Sequence, residues 1–386
     1  MISQLSSVAR QFGTNWFTVV MGIGIVAALT YTLPIPISGL QSIGIAFFLL
    51  ANVFFIIALS LWSWRWICHT DEALKDFSDP GKLLFYGALA MSISVIGNDY
   101  LVIGIHLLTP ATAILISKIF WICGVIVALF TVVTIPYLLF VSHQVSLEDT
   151  HASWLIPVVP PIVAAATGAK LIPYWSTLSW QFFFTILILA MFGMTFFLFI
   201  MISSLYFSRL VYSGKITGGF VPSVWIAIGP IGMSMTIFST LPMVTQPFLG
   251  AWNSGLHALG IIFAISMWGV GLWWIVIASL YSLLHLAKKE SKIPFSLGWW
   301  SYVFPLGSFT TGTYALNDLL GNSFFSVAGF IQFMALIGFF SLVLTKTSIG
   351  VFNGSLLFCK SPKLHSIQQK FQSQRLGYAL TPDKTL

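Results

Sequence analysis

Residues 15–64 form a stretch of fifty residues without a single Asp, Glu, Lys or Arg. The rest of the 386-residue chain continues this pattern, since 7% of all residues are charged and 58% are hydrophobic. A soluble domain carries charge on roughly a quarter of its residues, because its surface faces water. A chain with so little charge cannot cover a water-facing surface, whereas helices satisfy their own backbone polar groups in lipid. We therefore predict an all-α polytopic membrane protein.

Apolar runs of about 20 residues, the length that crosses the hydrocarbon core as a helix, recur between breaks rich in Pro, Gly, Asn or charge. They predict ten transmembrane spans, which are 16–33, 41–64, 83–104, 113–138, 153–170, 175–205, 220–247, 256–285, 295–317 and 323–345. Residues 1–345 are thus predicted to form one ten-helix domain. The remaining residues, 346–386, are predicted to form a basic cytoplasmic tail.

The basic residues are distributed unevenly between the two ends of these spans. An even number of spans places both termini on one side, and 15 of the 17 Lys and Arg fall on that side. Lys118 and Lys170 lie at the opposite ends. Because cytoplasmic loops carry an excess of Lys and Arg, we predict a multi-pass protein of the plasma membrane with both termini in the cytoplasm. A basic mouth and a net charge of +7 favour anions over cations.

Residues that weaken helices are concentrated in the odd-numbered spans. They are Gly22 and Gly24 in the first, Gly87 and Gly97 in the third, Pro157, Pro160, Pro161 and Gly168 in the fifth, Gly229, Pro230 and Gly232 in the seventh, and Pro305 and Gly307 in the ninth. A proline frees a backbone carbonyl that only protein or a wet cavity can serve within a membrane. Glycines let helices approach closely or leave a lumen. We predict five helical hairpins, with the odd-numbered helices around a central pore.

Small and hydroxylated residues of these spans are candidates for the pore lining. The candidates are Gly22, Gly24, Ser92, Ser94, Pro157, Pro160, Gly229, Pro230, Ser234 and Ser301, with Thr310 and Thr311 as further hydroxyls. A hydroxyl can replace part of an ion's hydration shell, or it can equally satisfy a helix–helix hydrogen bond. Because no Lys or Arg lies near the middle of a span, such a pore would bind anions weakly and let them pass.

Two acidic residues lie late in predicted inner helices and near the outer face, Asp99 in the third helix and Asp318 in the ninth. Acids within a membrane are costly and usually serve a function, so both are candidate proton sites. The alternative is that they are ordinary helix-end acids in the interfacial zone.

Catalytic and metal-binding motifs are missing from the sequence. It contains no His-Glu-x-x-His or Gly-x-Ser-x-Gly motif, and the three cysteines have no paired spacing. The loop with His143, Glu148, Asp149 and His151 could bind a metal, although such polar loops are more often only solvated. We predict that the protein is not an enzyme and has no metal, no cofactor and no nucleic-acid partner.

Four segments of the chain resemble, in order and at consistent spacing, helices of the tellurite-resistance/dicarboxylate transporter family. They are residues 15–25 (NWFTVVMGIGI), 154–159 (WLIPVV), 222–232 (PSVWIAIGPIG) and 298–307 (GWWSYVFPLG), similar to the first, fifth, seventh and ninth helices of that family. The family includes plant slow-type anion channels, bacterial tellurite-resistance proteins, fungal malate permeases and fungal sulfite exporters.

The resemblance implies ten helices in five hairpins, a homotrimer, and a phenylalanine of the ninth helix that plugs the pore. The matching residue is Phe304, directly before Pro305. Ile23 stands where many members have a threonine, which removes a hydroxyl from the predicted lumen. The implied function is a gated anion channel. The alternative is a proton-coupled carrier of C4-dicarboxylates such as malate, or a sulfite exporter, to whose fungal branch the Leu306-Gly307 pair is similar.

Overall fold

The computed structural model describes residues 2–358, apart from 36, 144, 214–215, 217 and 288–292. All regular secondary structure in this part of the chain is helical. Ten long helices, numbered to match the predicted spans, are α1 (Phe17–Thr32), α2 (Leu40–Cys68), α3 (Tyr86–Asp99), α4 (Pro110–Ser142), α5 (Pro160–Leu171), α6 (Leu178–Tyr212), α7 (Ile228–Val244), α8 (Trp252–Ala287), α9 (Phe304–Leu320) and α10 (Ser323–Phe352). A further helix, Ile2–Gln11, precedes them.

Each odd-numbered helix follows a leading helical segment that is separate from it. The leading segments are Thr14–Trp16 before α1, Pro80–Leu83 before α3, Ala152–Leu155 before α5, Gly218–Ala227 before α7 and Leu297–Tyr302 before α9. All except Pro80–Leu83 are 3₁₀-helical. Pro160 and Pro305 lie in the first turn of their helices, where a backbone N–H has no partner within the helix. The even-numbered helices, in contrast, run unbroken for 29 to 36 residues.

The odd-numbered helices form an inner layer and the even-numbered helices surround them. In an apolar 18-residue stretch of the segments that contain α1, α3 and α7, 89%, 72% and 94% of the residues are buried, against 22–33% in such stretches of the even-numbered helices. Helices α5 and α9 are also buried along most of their length. The exposed faces of the outer layer carry Leu, Ile, Phe and Val, as a surface facing lipid does. The predicted division into inner and outer helices is therefore confirmed.

Eight helical segments of the described residues are long and apolar enough to cross a membrane. The segments around α5 and α9 are not among them, because a turn divides each into two shorter pieces. The prediction of an all-α polytopic membrane protein is confirmed, while the count of ten spans stays a prediction.

The predicted basic tail overlaps the end of α10, which runs to Phe352 rather than ending at 345. Residues 346–352 continue the helix because they contain no proline and because a Lys side chain can extend toward water. Most of the predicted tail, residues 359–386, lies outside the described part of the chain.

Side chains of the outer helices hydrogen-bond to backbone carbonyls at the breaks of the inner segments. Thr195 of α6 donates to the carbonyl oxygen of Val158, just before α5, at 2.9 Å. Trp274 of α8 donates through Nε1 to the carbonyl oxygen of Val224, in the segment leading to α7, at 2.7 Å. A break in a membrane helix is tolerated where a neighbour supplies such a donor.

Candidate functional site

A small apolar cavity lies where the five inner helices begin. Its lining comes from all five inner segments and consists of Thr18, Met21, Phe85, Met91, Ile156, Val159, Ile226, Gly229, Pro230, Trp300, Ser301, Phe304 and Pro305. The volume of this apolar cavity is about 40 Å³, enough for a few water molecules at most. The inner helices therefore leave no wide passage at this level.

Phe304 is the first residue of α9 and lines the apolar cavity with 4% of its surface exposed. Pro305 follows in the first turn of α9, and its ring fixes the backbone φ angle there. The Phe304 carbonyl oxygen accepts a hydrogen bond from Ser308 Oγ at 2.9 Å, as in a regular helical turn. The residue singled out by the family resemblance thus lies in the lining of this small apolar cavity.

A larger and more polar cavity lies at the opposite ends of the same five helices. Its lining consists of Ala28, Leu29, Thr32, Asn98, Val102, Lys170, Thr240, Met243, Val244, Thr311, Tyr314, Ala315 and Asp318. The volume of this polar cavity is about 330 Å³. The two cavities are therefore separated along the axis of the inner layer by the middle of the helices.

The polar cavity brings together three charged residues that are far apart in sequence. Lys170 Nζ donates to Asn98 Oδ1 at 3.1 Å, and Asn98 Nδ2 lies 3.3 Å from Asp99 Oδ1. Lys170 interacts electrostatically with both Asp99 and Asp318. Asp318 is itself part of the lining, whereas Asp99 is fully buried behind Asn98.

Asp99 occupies a space that a glycine of the neighbouring helix provides. A Cβ atom on Gly24 would lie 2.8 Å from Asp99 Oδ2. That oxygen is buried and has no hydrogen-bond partner among the described residues. Gly24 therefore makes room for the carboxyl group.

Apart from Asp99 and Asp318, the sequence predicted twelve site residues. Five of the twelve line the apolar cavity, and these are Gly229, Pro230, Ser301, Phe304 and Pro305. The other seven, Gly22, Gly24, Ser92, Ser94, Pro157, Pro160 and Ser234, line neither of the two cavities. Gly22 packs on the ring of Trp300, and Gly87 packs on the backbone at Ile156 and Pro157.

The serines among those seven bond to their own helices. Ser92, Ser94 and Ser234 donate to the carbonyl oxygens of Leu89, Ala90 and Pro230 at 2.8, 3.1 and 2.7 Å. A serine within a helix commonly bonds to the carbonyl three or four residues earlier. The hydroxyls of these three serines are thus engaged within the helix backbone.

Sequence reasoning missed most of the residues that line the two cavities. Met21, Phe85 and Ile156 look like any other apolar residue of a membrane helix, so no sequence signal separates them from the packed interior. Lys170 did carry a signal, because it is one of only two basic residues at the outer ends of the spans.

The loop between α4 and α5 does not gather its histidines and acids into a metal site. His143 Nε2 lies 2.9 Å from the carbonyl oxygen of Phe77. Asp149 accepts hydrogen bonds from the side chain and backbone of Ser146, which lower the pKa of its carboxyl group. Within the described residues, no group of three or more His, Cys, Asp or Glu is arranged to hold a metal ion.

Comparison with known proteins adds a family and several relatives. A sequence model of the family described as voltage-dependent anion channel matches residues 11–348, which include both cavities. The chain is 28% identical to an uncharacterized transporter of Methanocaldococcus jannaschii, over 90% of this chain and 96% of that protein. It is 28% identical to a sulfite efflux pump of Trichophyton rubrum, over 88% of this chain and 89% of the pump. It is 22% identical to the malic acid transport protein of Schizosaccharomyces pombe, over 85% of this chain and 75% of that protein.

Proposed function

The chain belongs to the voltage-dependent anion channel family, and from this premise we propose that it conducts small anions through a pore lined by α1, α3, α5, α7 and α9, with Phe304 as the gate. The observation that carries the proposal is the pair of cavities along the five inner helices. Phe304 lines the cavity of about 40 Å³, where removal of a phenyl ring would widen a constricted and apolar passage. An apolar constriction of this kind blocks ions by excluding water.

Family membership confirms the resemblance found in the four sequence motifs. The relatives are transporters by name, which supports transport and not catalysis as the activity of this chain. Residues 1–345 would then form the transport domain and residues 346–386 its basic tail.

Preference for anions is supported by the orientation of the inner helices. All five begin at the level of the apolar cavity, at Phe17, Tyr86, Pro160, Ile228 and Phe304. The N-terminal end of a helix carries a partial positive charge, which favours a negative ion nearby. No Lys or Arg lines the apolar cavity, so this attraction is weak and diffuse. Weak attraction suits an ion that must leave as easily as it enters.

Sulfite export is the alternative that the relatives support, because the alignment with a sulfite efflux pump covers 88% of this chain. Transport of a C4-dicarboxylate such as malate is a further alternative, supported by the more distant malic acid transport protein, and we propose proton coupling as part of it. Asp99 or Asp318 would then take the proton. The buried and unpaired Oδ2 atom of Asp99 supports that role for Asp99.

The assembly and the location of the protein are further parts of the proposal. We propose a homotrimer in the lipid bilayer of the plasma membrane, with both termini in the cytoplasm. The apolar outer faces of α2, α4, α6, α8 and α10 support contact with lipid and with neighbouring subunits. The placement of basic residues supports the orientation.

The experiment that tests the proposal is a flux measurement with the purified full-length protein in proteoliposomes. Chloride, nitrate, sulfite and malate are offered in turn, with and without a pH gradient. Flux of at least one anion that is independent of the pH gradient is expected for a channel. Flux that is driven by the gradient would favour the coupled carrier, and lack of flux for all four anions would refute anion transport.

A further inference from the structure

Three of the four charged residues at one end of the molecule lie in or beside the polar cavity. The segments that connect the long helices there, 33–39, 100–109, 172–177, 245–251 and 321–322, contain no Asp, Glu, Lys or Arg. Lys170 and Asp318 line the cavity, and Asp99, buried beside it, interacts electrostatically with Lys170. The fourth, Lys118, lies apart and donates to the carbonyl oxygen of Tyr174 at 2.6 Å. Such concentration of charge in one cavity indicates a binding site.

Lys170 supplies the positive charge that an anion needs in this cavity. The C-terminal ends of α1, α5, α7 and α9 lie around it, and a helix C-terminus carries partial negative charge. An anion leaving the middle of the inner layer therefore meets four unfavourable helix ends. The ammonium group of Lys170 has three N–H donors, and its hydrogen bond to Asn98 uses one of them. The remaining donors can bind an anion in the cavity.

Asp318 limits how much negative charge the cavity accepts. Its carboxylate lies in the same lining as Lys170 and interacts with that lysine electrostatically. The lining holds one lysine and one aspartate, and Asp99, buried beside it, is a second acidic residue that interacts with Lys170. The cavity therefore has no cation in excess of its acids. A singly charged anion can pair with Lys170, but the second charge of a dianion meets Asp318 without a further cation to balance it.

We propose that the polar cavity is a binding site for singly charged anions, in which Lys170 binds the anion and Asp318 excludes dianions. The inference rests on the proposed function and names its substrate class. Size does not explain the exclusion, because about 330 Å³ falls within the range of pockets that bind small organic molecules. Discrimination between nitrate and a dicarboxylate of ordinary size must therefore come from charge.

The test compares the flux of nitrate, a monoanion, with that of malate, a dianion at neutral pH, in proteoliposomes. Lys170→Gln is expected to raise the half-saturating nitrate concentration by about tenfold, the order of magnitude for loss of one partly screened charge pair. Lys170→Arg, which keeps the charge, should retain most of the affinity. Lys118→Gln is the matched control, because it removes one positive charge from the same end outside the cavity, and it should leave nitrate flux unchanged.

Asp318→Asn tests the second half of the proposal and involves an exposed side chain whose replacement leaves the packing intact. The ratio of malate flux to nitrate flux is expected to rise by about tenfold. Unchanged nitrate affinity in Lys170→Gln, or an unchanged flux ratio in Asp318→Asn, would overturn the inference. If the wild-type protein carries neither anion, the proposed function itself fails. If the wild type carries anions and these variants match it, only the role of the polar cavity is refuted.

Discussion

At the scale of single residues, Gly87 shows how closely the backbones of the inner helices pack. A Cβ atom there would overlap the carbonyl oxygen of Ile156, a backbone atom in the turn before α5. That turn is followed by Pro160 and Pro161, which leave it little freedom to move. Gly87 therefore allows the backbones of two inner segments to touch and does not open a lumen.

Gly87→Ala is expected to lower the stability of the protein by roughly 1–3 kcal/mol, the usual cost of overpacking a well-packed interior. Gly193→Ala in α6 is the matched control, because nothing lies within 4 Å of its added methyl group, and alanine favours a helix over glycine. Thermal unfolding in detergent measures both variants. Equal melting temperatures for the two would contradict the close contact at Gly87.

His151 illustrates how burial changes the chemistry of one side chain. Its ring stacks on Phe220 with 4.3 Å between ring centroids. Burial, aided by the positive charge of Arg209, lowers the pKa of His151 from 6.5 to about 4. The folded protein thus keeps this ring neutral at pH values where the unfolded chain protonates it.

The depressed pKa of His151 predicts a loss of stability in acid. Because the unfolded state binds the additional proton, stability falls as the pH drops from 6.5 toward 4. The wild type should lose roughly 1–3 kcal/mol across this window on account of His151. Melting temperatures above and below the window are compared for wild type, His151→Gln and the exposed His257→Gln. His151→Gln should show a smaller acid loss than the other two, and equal losses in all three would refute the effect.

At the scale of elements, a buried ion pair fixes the end of α2 to the segments around it. Arg65 contacts both carboxylate oxygens of Asp76, at 2.5 and 2.9 Å. It also donates to the carbonyl oxygens of Phe12 and Glu72, at 3.2 and 2.8 Å. One guanidinium thereby holds together the chain before α1, the end of α2 and the segment before α3.

Asp76→Asn is expected to destabilise the protein by about 3 kcal/mol or more, because it leaves the buried charge of Arg65 without its counter-charge. Asp71→Asn, at an exposed position in the same segment, should cost much less. Chemical or thermal unfolding of both variants in detergent checks this. A loss of stability at Asp71 as large as that at Asp76 would contradict the role of the buried pair.

The sequence could predict which helices are inner ones. It could not predict that the breaks before all five inner helices lie at the same depth along the helix axes. Pro157 and Pro305 mark two of the breaks, as expected for residues that disrupt helices. The break before α3, at Leu84 and Phe85, contains neither Pro nor Gly and has no local signal. The alignment of all five breaks around one cavity depends on tertiary packing. Only the family resemblance pointed to Phe304, since composition alone offers 35 phenylalanines.

For similar reasons, the sequence predicted some residues of the candidate site and missed others. Asp318 and Pro305 were identified because a charge or a proline within an apolar span is rare and informative. Ser92 and Ser94 were predicted to place hydroxyl groups in the pore, but each hydroxyl donates to a carbonyl oxygen of its own helix. The side-chain rotamer determines which of the two occurs, and the sequence does not specify the rotamer. Lys170 was noted only as an exception to the charge rule, because its approach to Asn98 depends on how α5 packs against α3.

At the scale of the whole molecule, charge and apolar surface define an orientation. Six of the eight Lys and Arg among the described residues lie at the end of the protein where the inner helices begin, and these are Arg10, Arg65, Lys75, Lys82, Arg209 and Lys346. Cys68, at the end of α2, is exposed on the basic side. The basic side faces the cytoplasm if the usual charge rule applies.

Labelling with a membrane-impermeant maleimide tests this orientation. In a variant with Cys123 and Cys359 replaced by Ser, Cys68 should react in inside-out vesicles and not in intact cells. Ser38→Cys, placed in the uncharged loop between α1 and α2 with Cys68 also replaced, should show the opposite pattern. The reverse result for this pair would mean that the protein is inserted the other way round.

The most direct test of the proposed pore is the anion flux of Phe304→Ala in proteoliposomes, measured with nitrate beside wild type and Phe324→Ala. Phe304 lines the constricted cavity, whereas Phe324 is an exposed phenylalanine of α10. Loss of the Phe304 ring should raise nitrate flux several-fold, because the apolar passage widens enough to admit water and ions. Phe324→Ala should match the wild type. A folded Phe304→Ala protein with wild-type flux would contradict a pore gated at Phe304.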